Sequence, residues 1–396
     1  MKQLVILINN PNLSFVATEI LSFAATVDYL LVISTGSKEP QYTLPENVLY
    51  KQVNTSGYKD VPFSFNVVKV LVNDLWHHRS NKVYLKQVRR NFSYLRQANY
   101  LKLKLKKTLY QNGFHNAPIL SFWADIWSLT LALLKQDSFD KKVYTRLHGR
   151  DLYEEREPTI TYAIPFRQFV IGKMNRLYPV SDHGTNYLQN KYPFSKDKVI
   201  TSYLGCNDLG FSDEVGETFT ILSIAKIRNI KRIYRIAEVV KEFPSSIKWV
   251  HIGGEANRNN DKTIADTISL MDEINNIAGK EVINYGETQP EALPKIIHKH
   301  KPHILLNTSE YEGLPVSVME AFSMGIPCLA TNVGGTSELV SPQFLLNQNF
   351  NNDSLLKKLH EIKCSYSFSW KEQSRRIWEE RLNPVLLRKQ LFSSLK

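Results

Sequence analysis

Short apolar runs alternate with longer amphipathic stretches from one end of this chain to the other. Short runs bounded by polar turns predict buried strands. Apolar positions recurring every three or four residues predict helices packed on one face. Residues 4–8 and 30–34 read as strands, with a helix over about 14–25 between them. Residues 47–53 are a third strand, 64–78 and 80–110 are helices, and 118–122 is a short strand followed by a helix to about 135. Residues 142–147 form a strand ending at His148-Gly149-Arg150-Asp151, and 178–181 and 198–202 supply two more. No period runs through 203–217, which reads as a linker. A second series follows: strand 219–224, helix 230–243, strand 248–252, helix 262–277, strand 282–285 and helix 290–299. The fold class is therefore α/β, with two doubly wound halves.

The segment 301–340 carries the densest information. Ile304-Leu305-Leu306 is a strand core, Ser309-Glu310-Tyr311-Glu312-Gly313 is a turn, and Pro315 stands where a helix begins, a position that tolerates proline. The helix runs to about Gly325, and Pro327 opens the strand Cys328-Leu329-Ala330. Strand, turn, helix and strand belong to an open parallel sheet, where ligands sit beyond the carboxyl ends of the strands. Glu320 is the anomaly. It shares its helix with Val316, Val318, Met319, Ala321, Phe322 and Met324, so the pattern predicts burial. A buried carboxylate needs a partner or becomes neutral. That partner is either a structural arginine or backbone amide, or a pair of hydroxyls on a ligand. Glu312 lies just before the helix, near the positive end of its dipole. The free N–H groups of Leu314, Val316 and Ser317 would point the same way, which suits a phosphate, with Gly313 and Pro315 shaping the turn between them.

Charge changes the picture of the first half. Residues 1–200 hold 27 Lys and Arg against 15 Asp and Glu, so the whole net charge of +12 lies there. Ten basic side chains and no acidic one fall in 79–107, with Leu95, Ala98, Leu101, Leu105 and Leu109 interleaved at helical spacing. Such a run is either a solvated helix face or an amphipathic surface for anionic lipid or nucleic acid. The aromatic residues form no nucleic-acid-reading cluster, so nucleic acid is not expected as a partner. No apolar run is long enough to span a bilayer, and the first run, 3–8, is too short for a signal-peptide core. The three scattered cysteines, Cys206, Cys328 and Cys364, point to a reducing compartment and no metal cluster.

The segment around Glu312 resembles the signature of the retaining glycosyltransferases of family 4, which have the GT-B fold. Its elements are Glu312, Gly313, Pro315, Glu320, Gly325-Ile326-Pro327, Gly334-Gly335 and Glu338. The resemblance implies two Rossmann-like domains facing across a cleft. The domains would be 1–205 on the acceptor side and 218–370 for the nucleotide sugar, with a tail, 371–396, crossing back to the first domain. In similar enzymes the first glutamate contacts the donor sugar and the second holds the ribose. The family also places an arginine and a lysine five residues apart after the first strand of the second domain. Lys226 and Lys231 stand there, a lysine replacing the arginine fork. His148 matches a His-Gly-x-Asp turn whose histidine touches the donor sugar. Asn10 in the first loop, and Gly286 and Glu287 near the expected base site, complete the candidates. The loop around Asn10 resembles a subgroup active in surface polysaccharide (capsule or O-antigen) assembly.

No Asp-x-Asp pair occurs, so the two lysines, and no metal, are expected to neutralise the diphosphate. The resulting expectation is a metal-independent hexosyltransferase that needs no cofactor. It would use a UDP- or GDP-linked donor and a glycan or polyprenyl-diphosphate-linked acceptor, on the cytoplasmic face of the cell membrane, which the basic 79–107 segment would contact. A nucleotide-sugar hydrolase or epimerase on the same fold is the alternative enzyme.

Overall fold

The computed structural model describes residues 2–155, 164–255 and 262–395. The chain divides into two compact units, 1–204 with 384–396, and 205–383. The first contains β1 (Gln3–Ile8), β2 (Tyr29–Ser34), β3 (Val48–Gln52), β4 (Ile119–Ser121), β5 (Val143–Leu147) and β6 (Arg176–Pro179). They form one parallel sheet in the order β3-β2-β1-β4-β5-β6.

Period-two alternation builds this unit's two cores. Val5, Leu7, Leu31 and Ile33 face helices Val88–Gln111 and Ile126–Gln136. Leu4, Ile6, Ile8, Leu30 and Val32 face helix Ser14–Ala24 and the last helix, Pro384–Ser394, through Leu391 and Leu395. With both faces covered, β1 reads as the continuous run Leu-Val-Ile-Leu-Ile. On the second face, Glu19 is sealed from solvent between Arg146, at 2.8 Å, and Arg388, at 2.5 Å. Arg146 also donates to the carbonyls of Ser202 and Tyr203, and Arg388 to that of Tyr203. The last helix is thereby tied to β5 and to helix Ser14–Ala24.

The second unit contains β7 (Thr220–Ile224), β8 (Ile247–Ile252), β9 (Lys280–Asn284), β10 (Ile304–Asn307), β11 (Cys328–Thr331) and β12 (Leu345–Leu346). They form a parallel sheet in the order β12-β11-β10-β7-β8-β9. The strand order reverses at β7, so the loops after β7 and β10 diverge from the switch point where open sheets hold ligands.

Several expected elements differ. The predicted helix 80–110 is two, Lys82–Lys86 and Val88–Gln111, parted at Gln87, which leaves helical geometry with a φ of −100° and a ψ of 6°. Buried Tyr84 of the first donates its hydroxyl to Asp74 of helix Phe65–His77. The predicted strand 198–202 makes only an isolated bridge, Leu177 to Val199, at the edge of β6. The stretch expected as a linker belongs to the second unit from Gly205 onward. There the amides of Cys206, Ser212 and Gly216 donate to Leu382, Met324 and Lys301, and Arg375 grips both oxygens of Asp208 at 2.6 and 2.7 Å. The tail is two helices. Ser369–Arg381 packs in the second unit, and Pro384–Ser394 in the first. Among the described residues no helix is long and apolar enough to cross a membrane.

Candidate functional site

In the second unit the loops beyond β7, β8, β9, β10 and β11 are laced into one surface. The Ala225 amide donates to Ile252 and that of Ile227 to Gly254. Gly253 donates to the Gly286 carbonyl at 2.8 Å. Arg232 stitches the β7 loop to the β10 loop, donating to the carbonyls of Thr308 at 2.7 Å and Ser309 at 3.0 Å, while Thr308 Oγ1 donates back to Lys231. Gly334, after β11, approaches so closely that a Cβ there would lie 1.8 Å from the Glu312 carbonyl oxygen. Its φ of +53° is also one that side chains disfavour. Gly335 then donates to Gly313 at 2.9 Å.

This framework sets the candidate side chains. Lys231 Nζ donates to Glu312 Oε1 at 2.5 Å, and Asn307 Nδ2 reaches the same oxygen at 3.4 Å. Burial pushes the Glu312 carboxyl up, but the Lys231 charge and its hydrogen bonds outweigh it, so its pKa lies below the usual glutamate value. Lys226 and Glu287 form an exposed pair at 3.2 Å. Gly286 turns with a φ of +62°, its amide held by the Asn284 side chain. Gly313, Leu314 and Pro315 are buried, and Val316, half-buried, opens helix Val316–Ser323.

Val318, Met319, Ala321 and Phe322 lock that helix into the core. Glu320, which the pattern places in the interior, is half-buried on the helix flank. Among the described residues no arginine or amide pairs with its carboxylate. The nearby Arg375 instead serves Asp208 and the Ser323 carbonyl. Its surroundings are nonetheless mostly protein, and burial pushes its pKa up to about 7. Cys206 lies close enough for the Glu320 charge to raise its thiol pKa further, beyond the effect of burial.

His148 stands in the first unit, after β5. Its ring stacks on Phe122, with centroids 5.0 Å apart and planes 24° apart, and Phe15 and Trp123 flank it. Among the described residues neither ring nitrogen has a hydrogen-bond partner, Asp151 Oδ1 standing 4.0 Å from Nδ1. Burial, with the charges of Arg146 and Arg388, holds its pKa well below the ordinary value, so the imidazole is neutral. Asp151 accepts from the amides of His148 at 2.8 Å and Ala124 at 2.6 Å, which fixes the turn. Arg150 is exposed. Asn10 accepts from the Asn12 amide at 3.0 Å and shapes the first loop.

Sequence reasoning missed Arg232 and Asn307. Arg232 carries a φ of +50°, which its three side-chain hydrogen bonds, to the carbonyls of Thr308, Gln348 and Ser309, must outweigh, and nothing in its neighbourhood announces that backbone state. Asn307 ends an apolar strand with a polar residue, a signal that was available.

Residues 210–377 match the family model described as Glycosyl transferases group 1. That stretch holds Lys226, Lys231, Glu312 and Glu320. The O-antigen biosynthesis glycosyltransferase WbnH of Escherichia coli is 28% identical over 160 residues, which cover 40% of this chain and 41% of that protein. Among solved structures, the sucrose-phosphate synthase of Thermosynechococcus elongatus aligns over 100% of this chain and 99% of its own, with a TM-score of 0.72 at 14% identity. Anabaena HepE in complex with UDP aligns over 100% and 99%, with a TM-score of 0.67 at 12% identity. At these identities the likeness concerns the fold, and the fold is GT-B.

Proposed function

We propose that this protein is a retaining, metal-independent hexosyltransferase of family 4 that moves a hexose from a UDP- or GDP-sugar to a glycan or polyprenyl-diphosphate-linked acceptor in surface polysaccharide synthesis. The observation that carries this reading is Glu320, a carboxylate without a protein partner on a helix otherwise locked into the core. Two ribose hydroxyls would meet its demand. Beside it, the start of helix Val316–Ser323, with Gly313, Leu314, Pro315 and Val316, would receive phosphate oxygens. Lys231 and Lys226 would neutralise the charge that grows on the leaving diphosphate. Their present partners, Glu312 and Glu287, would be released as the diphosphate takes the lysines. Glu312 would then turn to the sugar hydroxyls, with Gly286 and Glu287 near the base.

His148, neutral and with both ring nitrogens unmatched, is suited to a sugar hydroxyl, and Asn10 to shaping the acceptor side. No carboxylate here is assigned as a covalent nucleophile, so front-side displacement assisted by the leaving phosphate is the preferred route to retention. The relative WbnH is named for O-antigen biosynthesis, and HepE was solved with UDP, which supports the substrate classes named. The basic first unit would bring the enzyme to the anionic inner face of the membrane, where a polyprenyl-linked acceptor resides.

The test is a screen of UDP- and GDP-hexoses by thermal stabilisation, followed by transfer to a lipid-linked acceptor with the anomeric configuration of the product read by NMR. Stabilisation by at least one donor and a retained configuration are expected. Nucleotide release at the same rate with and without acceptor would favour a hydrolase instead.

A further inference from the structure

Helix Phe65–His77 presents an apolar stripe to solvent. Phe65 is 82% exposed, Val68 43%, Val72 57% and Trp76 69%. Their spacing of three or four residues puts them on one face, together with exposed Lys69. The opposite face, Val67 and Val70, is buried in the core. Helices on a protein surface normally turn their polar face outward, so this one is reversed on its outer side.

The basic helix behind it does the opposite. Leu95, Ala98, Leu101, Leu105 and Leu109, which the sequence offers as a lipid-facing stripe, are all in the core of the first unit. What Val88–Gln111 shows to solvent is mostly charge, with Phe92, Leu103 and Tyr110 exposed among the cations. Of the ten cations in 79–107, Lys102 is buried against Asp137 at 2.6 Å and Arg96 is half-buried, while Arg79, Lys82, Lys86, Arg89, Arg90, Lys104, Lys106 and Lys107 are exposed. The two features adjoin. Phe63, just before the apolar helix, packs on Phe92 of the basic helix with ring centroids 4.9 Å apart, and the Arg79 guanidinium lies 4.7 Å over the Trp76 ring.

We infer that Phe65, Val68, Val72 and Trp76 insert into the acyl boundary of an anionic bilayer while the neighbouring cations engage the lipid headgroups. The inference rests on the proposed membrane-borne acceptor and names the element that makes the contact. An apolar stripe bordered by cations with no acid among them fits a negatively charged lipid surface, to which burial and charge attraction contribute together. An apolar protein partner would meet the stripe but leave the cations unmatched.

The experiment is co-sedimentation of the full chain with vesicles of phosphatidylcholine alone or mixed with phosphatidylglycerol, at low and high salt. Three proteins are compared: wild type, the double variant Phe65→Ser/Trp76→Ser, and the triple variant Lys82→Glu/Lys86→Glu/Arg89→Glu. All the altered side chains are exposed, and the thermal midpoint checks that folding is intact. Wild type should sediment with the anionic vesicles and lose affinity as salt rises. Each variant should bind about tenfold more weakly or less, with thermal stabilisation by UDP or GDP unchanged. Wild-type binding by the double variant would overturn the inference, as would a wild type that ignores anionic vesicles or a dimer that only the double variant dissolves. Loss of nucleotide stabilisation in wild type would instead count against the proposed function.

Discussion

Glu320 and Lys371 are both ionisable groups that their surroundings leave unmatched. For Glu320 the folded value of about 7 lies above the ordinary glutamate value of 4.5. The native state therefore holds a proton more firmly than the unfolded chain, and stability is lost as pH rises from 4.5 through 7. Glu320→Gln should raise the thermal midpoint at pH 8, by about 1–2 kcal/mol of stability, while weakening UDP or GDP binding by tenfold or more. A variant that gains stability and loses ligand marks a group kept for binding. Calorimetry and titration on the same two proteins check it.

Among the described residues nothing hydrogen-bonds the Lys371 ammonium group, which is sealed from solvent, and burial lowers its pKa to about 8 although the charge of Asp213 opposes the shift. Its folded value lies below the ordinary lysine value of 10.5, so the penalty is full below pH 8 and is relieved as pH rises from 8 towards 10.5. Lys371→Met should stabilise the second unit at pH 7 by about 1–3 kcal/mol and flatten stability between pH 8 and 10.5. A less stable variant would show that the lysine has a partner.

At the scale of elements, the site depends on loops fixed by backbone contacts. Gly334→Ala would drive a methyl group into the Glu312 carbonyl at a backbone angle alanine resists. It should cost about 2 kcal/mol or more and lower transfer rate far more than a surface change of equal size. Chemical denaturation and initial rates measure the two effects. At this scale the sequence was largely legible. Strands buried on both faces announce themselves, as β1 and β10 do, and the proline-led helix at Val316 was readable from its turn. Helices Asp182–Lys191 and Asn352–Ser365 went unread although Ser181 and Asn351 cap them with side-chain hydrogen bonds. Their apolar positions are too sparse to set up a helical period. The inward turn of Leu95 and Leu101 could not be read, because an apolar stripe looks the same whether it meets a core or a bilayer.

At the scale of the whole molecule, the placement of the last helix is implied by the family resemblance alone, not by the chain's own pattern. Residues 384–396 join the first unit although they follow the second in sequence. Their anchor, Arg388 on Glu19, spans most of the chain, so no local pattern foretells it. Glu19→Gln would leave Arg146 and Arg388 buried without a counter-charge and should cost about 3–5 kcal/mol. The loss should fall on the first unit. In a melt resolved by amide hydrogen exchange, β1 and β5 should lose protection while β7 and β10 keep theirs.

The account turns on whether Glu320 holds the two ribose hydroxyls of a nucleoside diphosphate. Titration calorimetry with UDP or GDP, whichever binds, against its 2′,3′-dideoxy analogue tests this in wild type and in Glu320→Gln. Wild type should bind the analogue about ten- to a hundredfold more weakly, and the variant should bind both equally. Equal affinity for the two ligands in wild type, or no binding of either nucleotide, would contradict it.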